Sequence, residues 1–173
     1  IARDPALIRS LNVAAVFRLK DYRYEKFHAL LQNMGLKSLR QPADHYGLSL
    51  ILGGAEGTLW DITGMYASLA RTLNNYFEFP GRNRYKRSDF HSPSYVSGKG
   101  ATNPARLEET SWLSASSIWI TFETLKELYR PAEQSGWRYF NSSKKIAWKT
   151  GTSFGFRDGW SIGVNANYAV GRL

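Results

Sequence analysis

The chain of 173 residues contains no cysteine, which excludes disulfides, zinc sites built on thiolates and cysteine nucleophiles together. It also has no run of about 20 consecutive apolar residues, the length that a helix needs to cross a bilayer. Residues 1–5 carry neither an initiator methionine nor a signal-peptide pattern, so we expect a piece cut from a longer protein. No segment is biased enough in composition to indicate disorder.

Apolar residues make up 43% of the chain and aromatic residues 14%, which is enough material for one packed domain. The formal net charge is +9, and much of the excess lies between residues 81 and 100. There Asp89 faces five cations: Arg82, Arg84, Lys86, Arg87 and Lys99. Pro and Gly in this segment predict a peripheral, solvated loop or hairpin. A nucleic-acid surface is the alternative, but it would normally follow a helix or stripe, so we expect no nucleic-acid partner.

Hydrophobic spacing predicts three amphipathic helices. The first covers residues 22–34 and ends at Gly35, which suits a left-handed cap. The second begins after Thr58, a plausible N-cap residue, with Asp61 in its first turn. The third begins at Ser114 and continues until Pro131 stops it.

The last thirty residues change to the composition of strands. Residues 145–153, 159–165 and 168–173 are short, rich in Trp, Ile, Val, Thr and Tyr, and separated by Gly, Asp and Asn. We expect three consecutive antiparallel strands, with Asp158-Gly159 in a turn. Helices followed by a strand meander predict an α+β domain in which helices pack on a central antiparallel sheet.

Two short motifs carry the chemistry. Lys149-Thr150-Gly151-Thr152-Ser153 lies inside the first predicted strand, where it offers a cation, two hydroxyls and a glycine beside which another backbone can approach. Ser10-Leu11-Asn12 precedes an apolar run and predicts a short loop entering a buried helix. Taken alone, each has an ordinary explanation, a strand ending in a turn and a helix cap.

In this order the two motifs form part of the Ser-x-x-Lys, Ser-x-Asn, Lys-Thr-Gly signature of penicillin-binding enzymes. Together with residues 52–58 and 148–160, they resemble the transpeptidase domain of bifunctional class A penicillin-binding proteins. The resemblance implies the penicillin-binding transpeptidase fold, which β-lactamases share, with the active site in a cleft. Residues 1–173 would be the C-terminal portion of that domain. The first two strands, the Ser-x-x-Lys helix and the C-terminal helix would lie outside this chain.

The resemblance also implies a function: a serine-type D,D-transpeptidase that cross-links peptidoglycan stem peptides and is acylated by β-lactam antibiotics. Among catalytic residues, Ser10 would relay protons, Lys149 would hold the Ser10 hydroxyl and stabilise negative charge, and Asn12 would hydrogen-bond the substrate backbone or the lysine of the missing motif. No cofactor or metal is implied. The parent protein would lie at the periplasmic face of the bacterial inner membrane, attached through an N-terminal anchor outside this chain.

The substrate-binding residues implied in the same way are Thr150, Gly151 and Thr152. The two threonine hydroxyls would bind the terminal carboxylate of the peptide or of a penicillin. The Thr152 backbone N–H would supply one half of the oxyanion hole, and the N–H of the absent nucleophile would supply the other half.

Other residues that could suggest chemistry receive no catalytic role. Ser142-Ser143-Lys144-Lys145 matches Ser-x-x-Lys only as text, and its polar position four residues before Lys149 predicts a solvated turn. Glu56 is expected to orient a loop, since no second carboxylate lies near it in sequence. The three histidines are expected to be structural or surface residues, because none has a second ligand at metal spacing: His28, His45 and His91.

Two alternative functions remain open at this point. A D,D-carboxypeptidase or β-lactamase would use the same acyl-serine chemistry with water as the acceptor. A non-catalytic penicillin-sensing domain would keep the cleft and signal by occupancy. Both would carry the same motifs.

Overall fold

The computed structural model describes residues 4–79, 85–95, 110–127, 146–153 and 157–173. Within these ranges six α-helices precede three strands, and two short 3₁₀ turns lie at Gly47–Leu52 and Arg87–Asp89. The helices are α1 (Pro5–Ile8), α2 (Asn12–Tyr22), α3 (Tyr24–Asn33), α4 (Ala43–Tyr46), α5 (Leu59–Glu78) and α6 (Ala115–Leu125). The strands are β1 (Ala147–Thr152), β2 (Gly159–Val164) and β3 (Ala169–Arg172). The predicted α+β class is confirmed.

The helix ends follow local chemistry. The Thr58 hydroxyl accepts a hydrogen bond from the Asp61 N–H at 3.0 Å, so the predicted N-cap of α5 is confirmed. Ser114 caps α6 in the same way, accepting from the Ser117 N–H at 3.1 Å. Gly35 has a φ of 108°, as expected after α3. The predicted end of the third helix at Pro131 lies outside the described residues.

The segment around Ser10 differs from its prediction in two respects. Asn12 is the first residue of α2 and not part of a loop, while Ser10 lies in the turn after α1 with a φ of 53°. The helix is also less buried than expected, because Leu19 is its one buried residue whereas Val13 and Phe17 are 70% and 62% exposed. The apolar run was therefore a poor guide to burial here.

The three strands form an antiparallel sheet in the order β1-β2-β3, so the predicted meander is confirmed. Each strand is slightly shorter than its predicted range. In the register, Lys149 lies opposite Ile162 and Thr152 lies opposite Gly159. Among the described residues no strand pairs with the other side of β1, so β1 is an edge strand of the described sheet.

The core consists of two clusters of buried apolar residues. One joins α5, α6 and the sheet, and its buried members are Ala70, Leu73, Ala115, Ile118, Phe122, Leu125, Ala147 and Val164. The other joins the N-terminal helices and the Gly47–Leu52 turn, with Leu19, Leu36, Leu39, Tyr46 and Leu50. One face of β1 and β2 therefore rests on α5 and α6. None of the described helices combines the length and the apolar composition that crossing a membrane requires.

The described part of the basic segment, residues 85–95, packs against the body of the domain. The Arg87 guanidinium lies 3.8 Å from the centroid of the Trp112 ring, and its Nε donates to the Thr110 carbonyl at 3.0 Å. Lys86 and Arg87 are both half-buried. The expectation of a solvated loop is therefore wrong for these two cations. The other three cations lie outside the described residues.

Asp89 anchors this segment to α5. It is 5% exposed, and its carboxylate accepts from Asn75 Nδ2 at 2.7 Å and from the Lys86 N–H at 2.9 Å. The Arg71 guanidinium donates to the Asp89 backbone carbonyl. Burial lowers the pKa of Arg71, and the nearby Asp89 carboxylate partly offsets that effect. One acidic residue thus satisfies donors from α5 and from the segment itself.

Replacing Asp89 should therefore destabilise the protein. We expect Asp89→Ala to lower the free energy of unfolding by about 2 kcal/mol, because the half-buried Asn75 and Lys86 donors lose their buried acceptor. Ser88→Ala, one residue earlier and exposed, is the matched control and should change stability by less than about 0.5 kcal/mol. Denaturant unfolding measures both values, and equal stability of the two variants would contradict the anchoring role.

The contact between β3 and α5 gives a second prediction. A Cβ on Gly171 would lie 2.0 Å from Thr63 Oγ1 and 2.9 Å from Leu59 Cδ1. Gly171→Ala should therefore destabilise the protein by about 1–3 kcal/mol through overpacking. Gly159→Ala is the control, since a Cβ there meets nothing within 4 Å. A loss of thermal stability that is no larger for Gly171→Ala would show that β3 shifts freely on α5.

Candidate active site

The direction of each backbone group in β1 follows from one hydrogen bond beyond its end. The Ser153 N–H donates to the Asp158 carbonyl at 3.1 Å, one step further along the register that pairs Thr152 with Gly159. In an antiparallel pair, hydrogen-bonded and non-hydrogen-bonded residue pairs alternate. Lys149 and Gly151 therefore direct their N–H and C=O groups toward β2. Thr150 and Thr152 direct theirs away from it, toward the open edge.

The other side of the sheet gives the same alternation independently. The Asn165 N–H donates to the Tyr168 carbonyl at 2.9 Å, which makes this a hydrogen-bonded pair between β2 and β3. By the same alternation along β2, the backbone N–H and C=O groups of Gly163 and Ser161 point toward β3. Those of Ile162 point toward β1. Ile162 is the partner of Lys149, whose backbone groups likewise face β2, so both sides of the sheet have the same alternation.

Side chains in β1 alternate between the two faces of the sheet. Lys149 lies on the same face as Ala147, which is 1% exposed and packs on the helices. Thr150 and Thr152 lie together on the other face and are exposed, as joint binding of one carboxylate would require. Gly151 follows Lys149 on the core-side face, where an added Cβ would make only an ordinary 3.7 Å contact with Trp160 Cβ. Packing among the described residues therefore does not require a glycine at this position. The space that a Cβ on Gly151 would occupy is open to a ligand.

The ammonium of Lys149 reaches the open edge of β1. Its Nζ donates to the Thr150 carbonyl at 2.7 Å, and that carbonyl is one of the groups that point away from β2. Burial lowers the pKa of Lys149 below its ordinary value of 10.5. No described carboxylate forms an ion pair with it. A partly desolvated cation therefore lies at the same edge of β1 as the outward N–H groups of Thr150 and Thr152.

Ser10 and Asn12 are linked to β1 only indirectly, through the packing of helices. Leu7 of α1 contacts the cluster that contains Ala147, and α1 packs on α6, which in turn packs on β1. Within the described ranges, no hydrogen bond joins the Ser10 hydroxyl to Lys149. The pairing of Ser10 with Lys149 stays a prediction, as do the roles of Asn12, Thr150, Gly151 and Thr152.

The other polar residues singled out from the sequence make structural contacts. His28 is buried, with Nε2 3.0 Å from the Gln41 carbonyl and its ring stacked on Tyr46. The Tyr46 hydroxyl donates to Glu56 at 3.1 Å. A backbone hydrogen bond and then the Tyr46 hydroxyl lower the pKa of Glu56. His45 packs edge-on against Tyr46, and His91 contacts the Ser92 carbonyl.

Ser153 is the residue at this site whose contact the sequence did not reveal. Its hydroxyl accepts a hydrogen bond from the Asp158 N–H at 2.8 Å, in addition to the backbone bond between the same two residues. The available signal was a serine directly after a strand and an aspartate directly before the next strand. Such residues commonly bind nearby backbone groups at turns. Ser142-Ser143-Lys144-Lys145 lies outside the described residues.

Comparison with known proteins relates the chain to one part of a larger protein. Penicillin-binding protein 1C of Escherichia coli (strain K12) is 34% identical over 171 residues. The match covers 99% of this chain but 19% of the relative, so the chain spans about a fifth of its length. The chain is therefore homologous to a region of penicillin-binding protein 1C. No family model matches the chain. No solved structure matches it either.

The environment of Lys149 predicts how its amine reacts. Because burial lowers its pKa, the neutral amine should become abundant at a lower pH than in an ordinary lysine. We expect a short pulse of acetic anhydride, read by peptide mass spectrometry, to label Lys149 with a midpoint below pH 10.5. The same lysine in urea-unfolded protein is the control. Identical midpoints in folded and unfolded protein would contradict the desolvated position.

Proposed function

We propose that this chain belongs to the transpeptidase domain of a class A penicillin-binding protein, a serine-type D,D-transpeptidase that cross-links peptidoglycan stem peptides. The observation that carries the proposal is the open edge of β1, where the Thr152 N–H points outward and the Lys149 ammonium donates to the outward Thr150 carbonyl. Homology to a region of penicillin-binding protein 1C supports it. On this proposal the protein works at the periplasmic face of the inner membrane, held by an anchor outside these residues.

The proposed reaction has two acyl transfers. A serine hydroxyl attacks the carbonyl between two D-alanines, the peptide C–N bond breaks, and the terminal D-alanine leaves with a proton on its nitrogen. The amine of a neighbouring stem peptide then attacks the resulting ester and displaces the serine, which recovers its proton. Splitting one transfer into two in this way is covalent catalysis. We propose that residues preceding Ile1 supply the nucleophile in a Ser-x-x-Lys motif.

The residues of β1 then have separate tasks. The outward N–H of Thr152 donates to the oxyanion that forms during each transfer. The exposed hydroxyls of Thr150 and Thr152, which share one face, bind the substrate carboxylate. Outward N–H and C=O groups at an open edge also suit an extended peptide laid alongside the strand.

On this proposal Lys149 contributes its positive charge and its lowered pKa. The lowered pKa reflects a cation that has lost part of its hydration, and such a cation gains more from nearby negative charge than a fully solvated one. We place the Ser10 hydroxyl next to it as the proton relay toward the leaving nitrogen. Asn12 hydrogen-bonds the substrate backbone or the lysine of the upstream motif.

Penicillin provides the test, because acylation adds the whole ligand mass to one serine. We expect the full-length protein to gain one adduct in intact-mass spectra and the 173-residue chain alone to gain none. In the full-length protein, Lys149→Ala should slow labelling by at least about tenfold through loss of charge stabilisation. Thr121→Ala, an exposed hydroxyl on α6, is the control and should label normally.

Two outcomes would contradict the proposal. Full-length protein that is folded but never labelled would exclude an acyl-serine enzyme. A stoichiometric adduct on the short chain, mapped to Ser142 or Ser10, would show that the nucleophile lies within these residues. Supplying a D-amino acid as acceptor during turnover of a D-Ala-D-Ala peptide separates transpeptidation from hydrolysis, because only a transpeptidase yields the exchanged peptide.

A further inference from the structure

The pair formed by Ser153 and Asp158 departs from ordinary strand pairing in one respect. A hydrogen-bonded antiparallel pair normally exchanges two backbone bonds, one in each direction. Here the Ser153 N–H donates to the Asp158 carbonyl at 3.1 Å in the usual way. The return bond from the Asp158 N–H goes to the Ser153 hydroxyl at 2.8 Å and not to the Ser153 carbonyl. A side chain thus completes the last rung of the ladder.

This rung controls the orientation of Thr152. Thr152 belongs to a non-hydrogen-bonded pair with Gly159, so its own backbone makes no bond to β2. The direction of its N–H is therefore set by the two flanking pairs. One is Gly151 with Trp160, inside the sheet, and the other is Ser153 with Asp158, at its end.

We propose that Ser153 is a positioning residue, whose hydroxyl holds the Thr152 N–H in the direction needed for oxyanion stabilisation. The inference rests on the proposed function and adds a residue to it. The Ser153 hydroxyl does not touch substrate. It acts by fixing the end of β1 against the start of β2, so that the peptide between Gly151 and Thr152 cannot rotate about the strand axis.

Removing the Ser153 hydroxyl should slow acylation by less than the loss of a complete oxyanion donor would. Loss of a complete oxyanion donor lowers the rate about 100- to 1,000-fold in related acyl-transfer chemistry. Ser153→Ala keeps the donor, the Gly151–Trp160 pair and the Ser153 N–H bond to Asp158, but it removes the hydroxyl bond of the terminal pair, so we expect the limiting acylation rate to fall about tenfold. Reversible penicillin affinity before acylation should stay within about twofold, since the carboxylate contacts of the threonine hydroxyls persist. Ser153→Thr retains a hydroxyl and should restore the rate.

The experiment uses the full-length protein and a chromogenic or fluorescent penicillin under single-turnover conditions. In the measured step the serine oxygen bonds to the β-lactam carbonyl carbon, the ring C–N bond breaks, and the serine proton ends on the ring nitrogen. The rate is recorded against penicillin concentration for wild type, Ser153→Ala, Ser153→Thr and the control Thr121→Ala. The concentration dependence separates the limiting rate from the reversible affinity. Thermal unfolding of each variant is measured alongside.

A selective fall in the limiting rate of Ser153→Ala, restored by threonine, with unchanged melting temperature, would support the positioning role. An unchanged limiting rate would overturn it while leaving the proposed function intact. A fall in rate that tracks a fall in melting temperature, or that threonine does not restore, would also overturn it, because either indicates general destabilisation. If wild-type protein is not acylated at all, the proposed function itself fails and this inference fails with it.

Discussion

The pairing register between β1 and β2 is the constraint on which the candidate site depends. A shift by one residue would move every side chain to the other face of the sheet and reverse the direction of every backbone group. The Lys149 side chain would then point to the face away from the helices. The Thr152 N–H would be hydrogen-bonded to β2. Among the described residues, the present register leaves two threonine N–H groups unpaired with β2 and keeps a partly desolvated lysine on the same strand.

Packing fixes that register from the other end of the strand. Ala147 and Val164 are opposite each other, both almost fully buried against α5 and α6. A one-residue slip would expose these small apolar side chains and bury polar ones, which costs free energy at each position. The site is therefore held at one end by core burial and at the other by the hydrogen bonds of Ser153. The intervening residues are free to be exposed and polar.

The sequence was sufficient for those features that depend on local chemistry. The cap at Thr58, the start of the third helix at Ser114, the glycine after α3 and the three strands all follow from short-range rules, and each was found where expected. Burial was harder to predict, because it depends on what packs nearby. The apolar residues of α2 suggested a buried helix that the structure does not show, and Arg87 stacks on Trp112 and is half-buried instead of fully solvated. The motif residues could be named from the sequence, but the alternation that turns Thr152 outward needed the observed register.

An edge strand with unused N–H and C=O groups is also a template on which a second chain can add itself, and native proteins often guard such edges with a lysine. Lys149 occupies that position in β1, with its ammonium against the outward Thr150 carbonyl. Two copies that approached edge to edge would bring two such cations together and would have to displace both from their carbonyls. The charge that would bind a small anionic ligand on the proposed function therefore also protects this edge against the much larger surface of another sheet.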